Sequence, residues 1–409
     1  MSDSKRDIIV WGATGFTGAL VAEYLLASYG VGESLDWAIA GRSREKLEAL
    51  RDRLGPNASE LPILVADSMD PASMQSLAEQ TRVMLTTVGP YAKYGTALLE
   101  ACVEAGTDYC DLCAEVQWMR RMMDKHQARA EETGARLMHC CGYDSIPSDI
   151  GTWFLQNAAQ GRYGETCSSV TMVVKAARGG ASGGTAASMV NIIKETRSDR
   201  EAARFVAMPY SLNPPDRREG PRVKDQTGPE YNELLRSWTA PFVMAISNTR
   251  IVRRSNALAD FPYGKDFVYQ ETIATGRGIG GWLKAFMISA GIGSVLVGAA
   301  FSPTRALLTR FVLPKPGEGP DAEARANGFF KHEFTGVASN DRRIRVRVTG
   351  DRDPGYGSTS KMLAETAICF AKDDLATGGG FWTTATAMAA PLHERLVRNA
   401  GLTFDVIDD

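Results

Sequence analysis

The chain has 409 residues, room for two or three domains. Apolar residues at 44% and charged residues at 23% sit near globular averages and exclude wholesale disorder. With 46 Lys+Arg against 48 Asp+Glu the net charge is −2, so no global field draws the protein to nucleic acid, and any anion site is local.

From the N-terminus, apolar runs at 7–11, 35–40, 61–66, 83–88, 109–112 and 136–141 alternate with helical patterns at 16–27, 44–54, 71–80, 94–105 and 114–133. Strands alternating with helices predict βαβ units, and six such strands predict an α/β fold with a Rossmann-type, doubly wound parallel sheet. After Ser145 the pattern changes. Strand-like runs at 167–176, 265–274, 328–335 and 343–349, with helices at 183–197 and 357–371, predict a second, α+β domain with a mixed or mostly antiparallel sheet. The expected division is 1–150 for the first domain, 151–375 for the second, and 376–409 as a segment packing back on the first. The proline-rich run 210–229 is expected as an exposed loop, and 314–321 as another loop.

Gly12-Ala13-Thr14-Gly15-Phe16-Thr17-Gly18 joins the first strand to the first helix. One glycine turns the chain sharply, one lets backbone N–H groups approach a pyrophosphate, and one lets helix pack on strand. In strand–turn–helix context this GxxGxxG run predicts a dinucleotide site. The second strand ends in Gly41-Arg42-Ser43-Arg44, with no acid for a ribose 2′-hydroxyl. Arg42 and Arg44 suit a 2′-phosphate and Ser43 can donate to it, so NADP(H) is the expected cofactor. Asp67-Ser68 end the third strand, where adenine is expected, and Thr87-Val88-Gly89 end the fourth, beside the nicotinamide ribose.

At these residues the chain resembles the saccharopine dehydrogenase-like oxidoreductases. The likeness rests on GATGFTG, AGRSREKL, TVGPYAKYG, LLEACVEAGTDYCDL and GYDSIPSD, and later on GEGPDAEARANGFF, GYGSTSKMLAETAICFA and TGGGFWTTATAMA. It is similar above all to the branch that holds the bacterial trans-acting enoyl reductases. That resemblance implies a Rossmann domain with an inserted α/β domain, and reduction of an enoyl or related acyl-lipid substrate, small or carrier-borne. Such chemistry needs a proton donor and a stabiliser for an enolate oxygen. Tyr91, Tyr143 and Asp144 border the expected crevice and are the catalytic candidates. A saccharopine-type amino-acid or imine dehydrogenase, and a dinucleotide-binding lipid-associated protein without turnover, are the alternative readings.

The seven cysteines, with no signal peptide, fit reduced thiols and a cytoplasmic setting. Cys110-x-x-Cys113 and Cys140-Cys141 fall in apolar strand patterns, so buried thiols are expected there and no metal. Ser145 reads as a helix N-cap, Asp111 as a group that orients a crevice partner or holds a loop, and His139 as a core histidine. The run 285–301 carries no charge. It fits a buried or homodimer-interface helix, a peripheral membrane contact, or a span. Arg343, Arg345 and Arg347 share one strand face, suited to a phosphate, an acidic carrier or solvent.

Overall fold

The computed structural model describes residues 5–32, 34–180, 183–301, 304 and 319–407, with side chains from 187 in the helix that starts at 183. Pro303, Arg305 and the first part of the expected loop 314–321 lie outside the described residues.

The first sheet contains β1 (Arg6–Trp11), β2 (Trp37–Gly41), β3 (Ile63–Val65), β4 (Thr81–Thr86), β5 (Asp108–Asp111) and β6 (Arg136–Met138). These strands are near-continuous apolar runs because a parallel sheet buries both faces. The strand order runs β3-β2-β1-β4-β5-β6, with all pairs parallel. The order reverses between β1 and β4, the switch point at whose carboxyl ends doubly wound sheets bind their ligands.

The second sheet contains β7 (Ser169–Arg178), β8 (Glu230–Asn232), β9 (Ser237–Pro241), β10 (Val268–Gly276), β11 (Phe329–Val337) and β12 (Arg343–Gly350). Two C-terminal strands complete the sheets: β13 (Gly380–Trp382) and β14 (Leu402–Ile407). The second sheet has the order β14-β12-β11-β7-β10-β9-β8; the β7–β10 pair is parallel and the others are antiparallel. The helix Ile146–Tyr163 packs on β11 and β12. A Cβ at Gly151 would lie 2.6 Å from the Phe334 ring, so glycine sets that close approach.

Three expectations change. First, β13 pairs in parallel with β6, so the first sheet has seven strands rather than six. A three-residue strand is too short to show periodicity. Second, the C-terminal segment divides: β13 joins the first sheet, while β14 pairs with β12 in the second. Third, the helix Thr359–Lys372, placed by sequence in the second domain, covers the first sheet. Met362, Leu363, Ala367 and Ile368 share a core cluster with Ile8, Val10, Val83 and Leu85. Its buried Glu365 accepts from the Tyr24 and Tyr29 hydroxyls at 2.6 Å each.

The run 210–229 is largely irregular, but its start is not exposed. Ser211, Leu212 and Asn213 are buried. Arg120 donates to the Ser211 carbonyl, and Arg254 to those of Leu212 and Phe381. Arg250 pairs with Asp225 at 2.7 Å and Arg253 donates to the Tyr269 carbonyl at 2.9 Å. Buried guanidiniums thus satisfy loop carbonyls that water would otherwise have to reach. All seven cysteines are buried and free.

Candidate functional site

The turn between β1 and the helix Phe16–Tyr29 is built by close backbone approach. Gly12 has φ +84°, and a Cβ there would sit 2.5 Å from Val88 Cγ2. A Cβ on Gly18 would sit 2.2 Å from the Gly12 carbonyl oxygen. Thr14 and Gly15 are exposed, with Phe16 and Thr17 half-buried behind them. Gly15 caps this 14-residue helix with no side-chain bond, and the first turn holds no acid. The first N–H groups and the positive end of the helix dipole therefore face outward, as an anion cradle requires. Gly18→Ala should destabilise the protein by about 1–3 kcal/mol and weaken NADPH binding together. A thermal melt and an NADPH titration check this; an unperturbed variant would contradict the tight turn.

Arg42 is exposed and has no ion pair or hydrogen bond among the described residues. Arg44, one turn into the next helix, shares its charge with Glu48 at 3.8 Å. Ser43 caps that helix by accepting from Lys46 N at 3.3 Å, which leaves its O–H able to donate. Asp67 is exposed, its carboxylate accepting from Met69 N at 3.0 Å, while Ser68 is buried. Thr87 N donates to the Trp11 carbonyl at 3.1 Å, which binds the β4 end to the β1 end. Gly12, Thr14, Gly15, Phe16, Thr17, Gly18, Arg42, Ser43, Arg44, Thr87, Val88 and Gly89 thus all follow the carboxyl ends of β1, β2 and β4, on one side of the first sheet. An open helix N-terminus beside a free guanidinium fits a dinucleotide carrying a 2′-phosphate.

Distant segments close over this edge. Phe16 meets Tyr356 edge-on at 5.2 Å and lies under the Arg325 guanidinium at 5.5 Å. A Cβ on Gly319 would fall 2.4 Å from the Phe16 ring. Asp353 ties the roof together by accepting from Gly180 N and Tyr356 N, each at 2.8 Å. On the other side, buried Glu115 accepts from Tyr91 N at 2.8 Å and from Ser188 Oγ at 3.1 Å. Burial pushes the Glu115 carboxyl above its ordinary range. Ser188 belongs to the helix Gly183–Ser198, which thereby reaches the Gly89 turn.

The catalytic candidates differ in setting. Tyr91 is buried; its hydroxyl donates to the Thr86 carbonyl at 3.3 Å and accepts from Leu112 N at 3.1 Å. Both bonds go to backbone, so Tyr91 holds the β4 and β5 ends together. Tyr143 is half-buried, with its hydroxyl 2.9 Å from His332 Nε2. Burial raises the Tyr143 phenol above its ordinary range and lowers His332 to about 3, so the imidazole is neutral at working pH. Asp144 has a buried Oδ2 without a hydrogen-bond partner, and burial lifts its carboxyl to about 7. The nearby Asp111 charge adds to that rise.

Further residues have these surroundings. Asp111 holds a loop and a buried core histidine: Oδ1 accepts from Cys113 N at 2.9 Å and Oδ2 lies 2.7 Å from Nδ1 of His139, which is packed among Tyr109, Trp118 and Phe381. Ser145 starts its helix without a side-chain cap; its Oγ donates to Asn248 at 3.0 Å instead. Arg345 and Arg347 pair with Glu333 at 3.3 and 3.1 Å, but Lys175 and Lys331 share the same carboxylate, so the group around it keeps a net positive charge. His332 was not among the sequence candidates, because it lies 189 residues from Tyr143 with no motif around it.

Comparison with known proteins agrees with this edge. Residues 8–138 match the family model of the saccharopine dehydrogenase NADP binding domain. A Mycobacterium tuberculosis protein, provisionally named a trans-acting enoyl reductase, is 40% identical over 401 residues, covering 95% of each chain. The trans-acting enoyl reductase of Mycobacterium ulcerans is 38% identical over 414 residues, covering 97% of each. The saccharopine dehydrogenase (L-Glu forming) of Saccharomyces cerevisiae, at 11% identity, shares the fold with TM-score 0.54, covering 98% of this chain and 100% of that one. The chain therefore belongs to the trans-acting enoyl reductase family, carries a saccharopine dehydrogenase-type NADP binding domain over residues 8–138, and is an NADP(H)-dependent oxidoreductase.

Proposed function

We propose that the protein reduces the carbon–carbon double bond of an enoyl thioester, with Tyr143 and Asp144 managing the proton and the enolate. The observation that carries this reading is the Tyr143 hydroxyl 2.9 Å from the buried His332 Nε2, followed in the chain by Asp144 with a buried Oδ2 that has no hydrogen-bond partner among the described residues. When bound along the Gly12–Gly18 turn, NADPH would supply the hydride for the β-carbon.

Neutral His332 carries one ring hydrogen. Placed on Nε2, it donates to the Tyr143 oxygen and frees the phenol hydrogen to point at a thioester oxygen. The Nδ1 atom, which has no partner among the described residues, then holds only a lone pair. The opposite tautomer would bury an unpaired N–H, the costlier arrangement. A phenol held neutral by burial is suited to donate to a developing enolate. Asp144, protonated below about 7, suits delivery of a proton to the α-carbon.

The deciding assay follows NADPH consumption with trans-2-enoyl thioesters, on a small carrier mimic and on a carrier protein, beside saccharopine-type imines. Turnover of the thioesters alone is the expected result. Turnover of the imines alone would overturn the reading, and NADPH binding without turnover of either would favour a non-catalytic role.

A further inference from the structure

The helix Gly278–Ala300 holds neither the cofactor edge nor the proton donors. Its inner side rests on β9, β10 and the helix Gly183–Ser198. Its outer side is apolar and open: Ile279 is 84% exposed, Met287 57% and Val297 61%, with Trp282, Leu283 and Phe286 beside them. Trp282 and Phe286 stack at 5.7 Å in plain contact with solvent. Burial inside the chain itself, one of the expected settings, is therefore overturned, and a continuous apolar face of this kind calls for a cover from outside the chain.

Charge identifies the cover. From Thr272 to Gly317 the sequence holds cations at 277, 284, 305, 310 and 315, and no Asp or Glu. Glu195 on the adjoining helix and Asp199 just past its end are engaged by Arg121, whereas Lys194 and Arg197 stay exposed. Arg197 lies over the exposed Phe301 ring at 5.1 Å. A second copy docking on this face would bring the same cations against them. An anionic lipid surface supplies both the apolar phase and the opposite charge.

We propose that the outer face of this helix docks on an anionic bilayer surface. Trp282 and Phe286 enter the acyl boundary, and Arg277 and Lys284 meet headgroup phosphates. The helix lies on the surface rather than crossing it. The stretch Gly278–Ala299 is long enough to span, but its inner side is fixed to β9 and β10, which a span would strip away. Docking would bring the helix Gly183–Ser198, whose Ser188 reaches the Gly89 turn, next to the lipid. An acyl substrate drawn from a membrane would then have a short route to the crevice.

The test is flotation of the full-length protein with vesicles of phosphatidylcholine alone, or mixed with phosphatidylglycerol. Binding to the mixed vesicles only, and its loss at high salt, is the expected result. Arg277→Gln and Lys284→Gln should each weaken binding roughly fivefold. Phe286→Asp should abolish flotation while circular dichroism and NADPH affinity stay unchanged. Absence of flotation with either vesicle would overturn the proposal. So would equal binding to neutral vesicles, or a dimer that Phe286→Asp dissociates without any lipid binding. Resistance to alkaline carbonate extraction would overturn it in favour of a span.

Discussion

Tyr143→Phe is expected to lower kcat by about 10²–10⁴-fold while NADPH affinity stays unchanged. The variant keeps the ring that packs on Phe330 and His332 at 5.0 and 5.3 Å and removes only the hydroxyl. A structural role would instead appear as a lower melting temperature with nearly normal kcat. His332→Gln, which can still donate through its amide, should lose less than His332→Leu. In the same assay, wild-type kcat should fall as pH rises above about 7, where Asp144 loses its proton. Asp144→Asn should be slow and should lack that alkaline limb. Stability runs the same way with pH. The folded carboxyl titrates near 7, above its ordinary 3.8, so its contribution is fully present below about 4 and is lost as pH rises through about 7. Asp144→Asn should therefore gain stability over wild type across that window, seen in melts at stepped pH. A buried carboxyl that weakens the fold at neutral pH fits a catalytic post.

Arg42→Ala should weaken NADPH binding about 10–100-fold and leave NADH binding almost unchanged. Arg42 stands alone at the end of β2, so its charge is available to a 2′-phosphate. Arg44→Ala should cost less, because Arg44 already shares its charge with Glu48. Fluorescence titration of both nucleotides separates these cases. Equal losses for NADPH and NADH would reject the 2′-phosphate assignment. The result is independent of the substrate, so it tests the cofactor edge even if the enoyl assay fails.

The cofactor edge was legible because every part of it is local. Gly12 to Gly18 and Arg42 to Arg44 each sit within one strand–turn–helix unit, where glycine spacing and an absent acid carry the chemistry. The same holds for the six strands of the first sheet, whose apolar runs are long enough to read. The catalytic surroundings were only half legible. Tyr91 and Tyr143 both follow strand ends, and sequence could not separate a tyrosine bonded to backbone from one bonded to His332. The apolar run 285–301 was visible as a helix, but burial is a property of its neighbours.

The sequence by itself determined the parallel sheet, the dinucleotide turn and the preference for a phosphate at the ribose, since each depends on residues within a few positions of one another. The tertiary structure alone decided that β13 and the helix Thr359–Lys372 return to the first sheet, and that His332 meets Tyr143. It also decided that the apolar helix faces outward. The physical reason is common to all of these. Pairing, burial and the shift of a buried group's proton affinity come from contacts between segments far apart in the chain, and no local pattern encodes them.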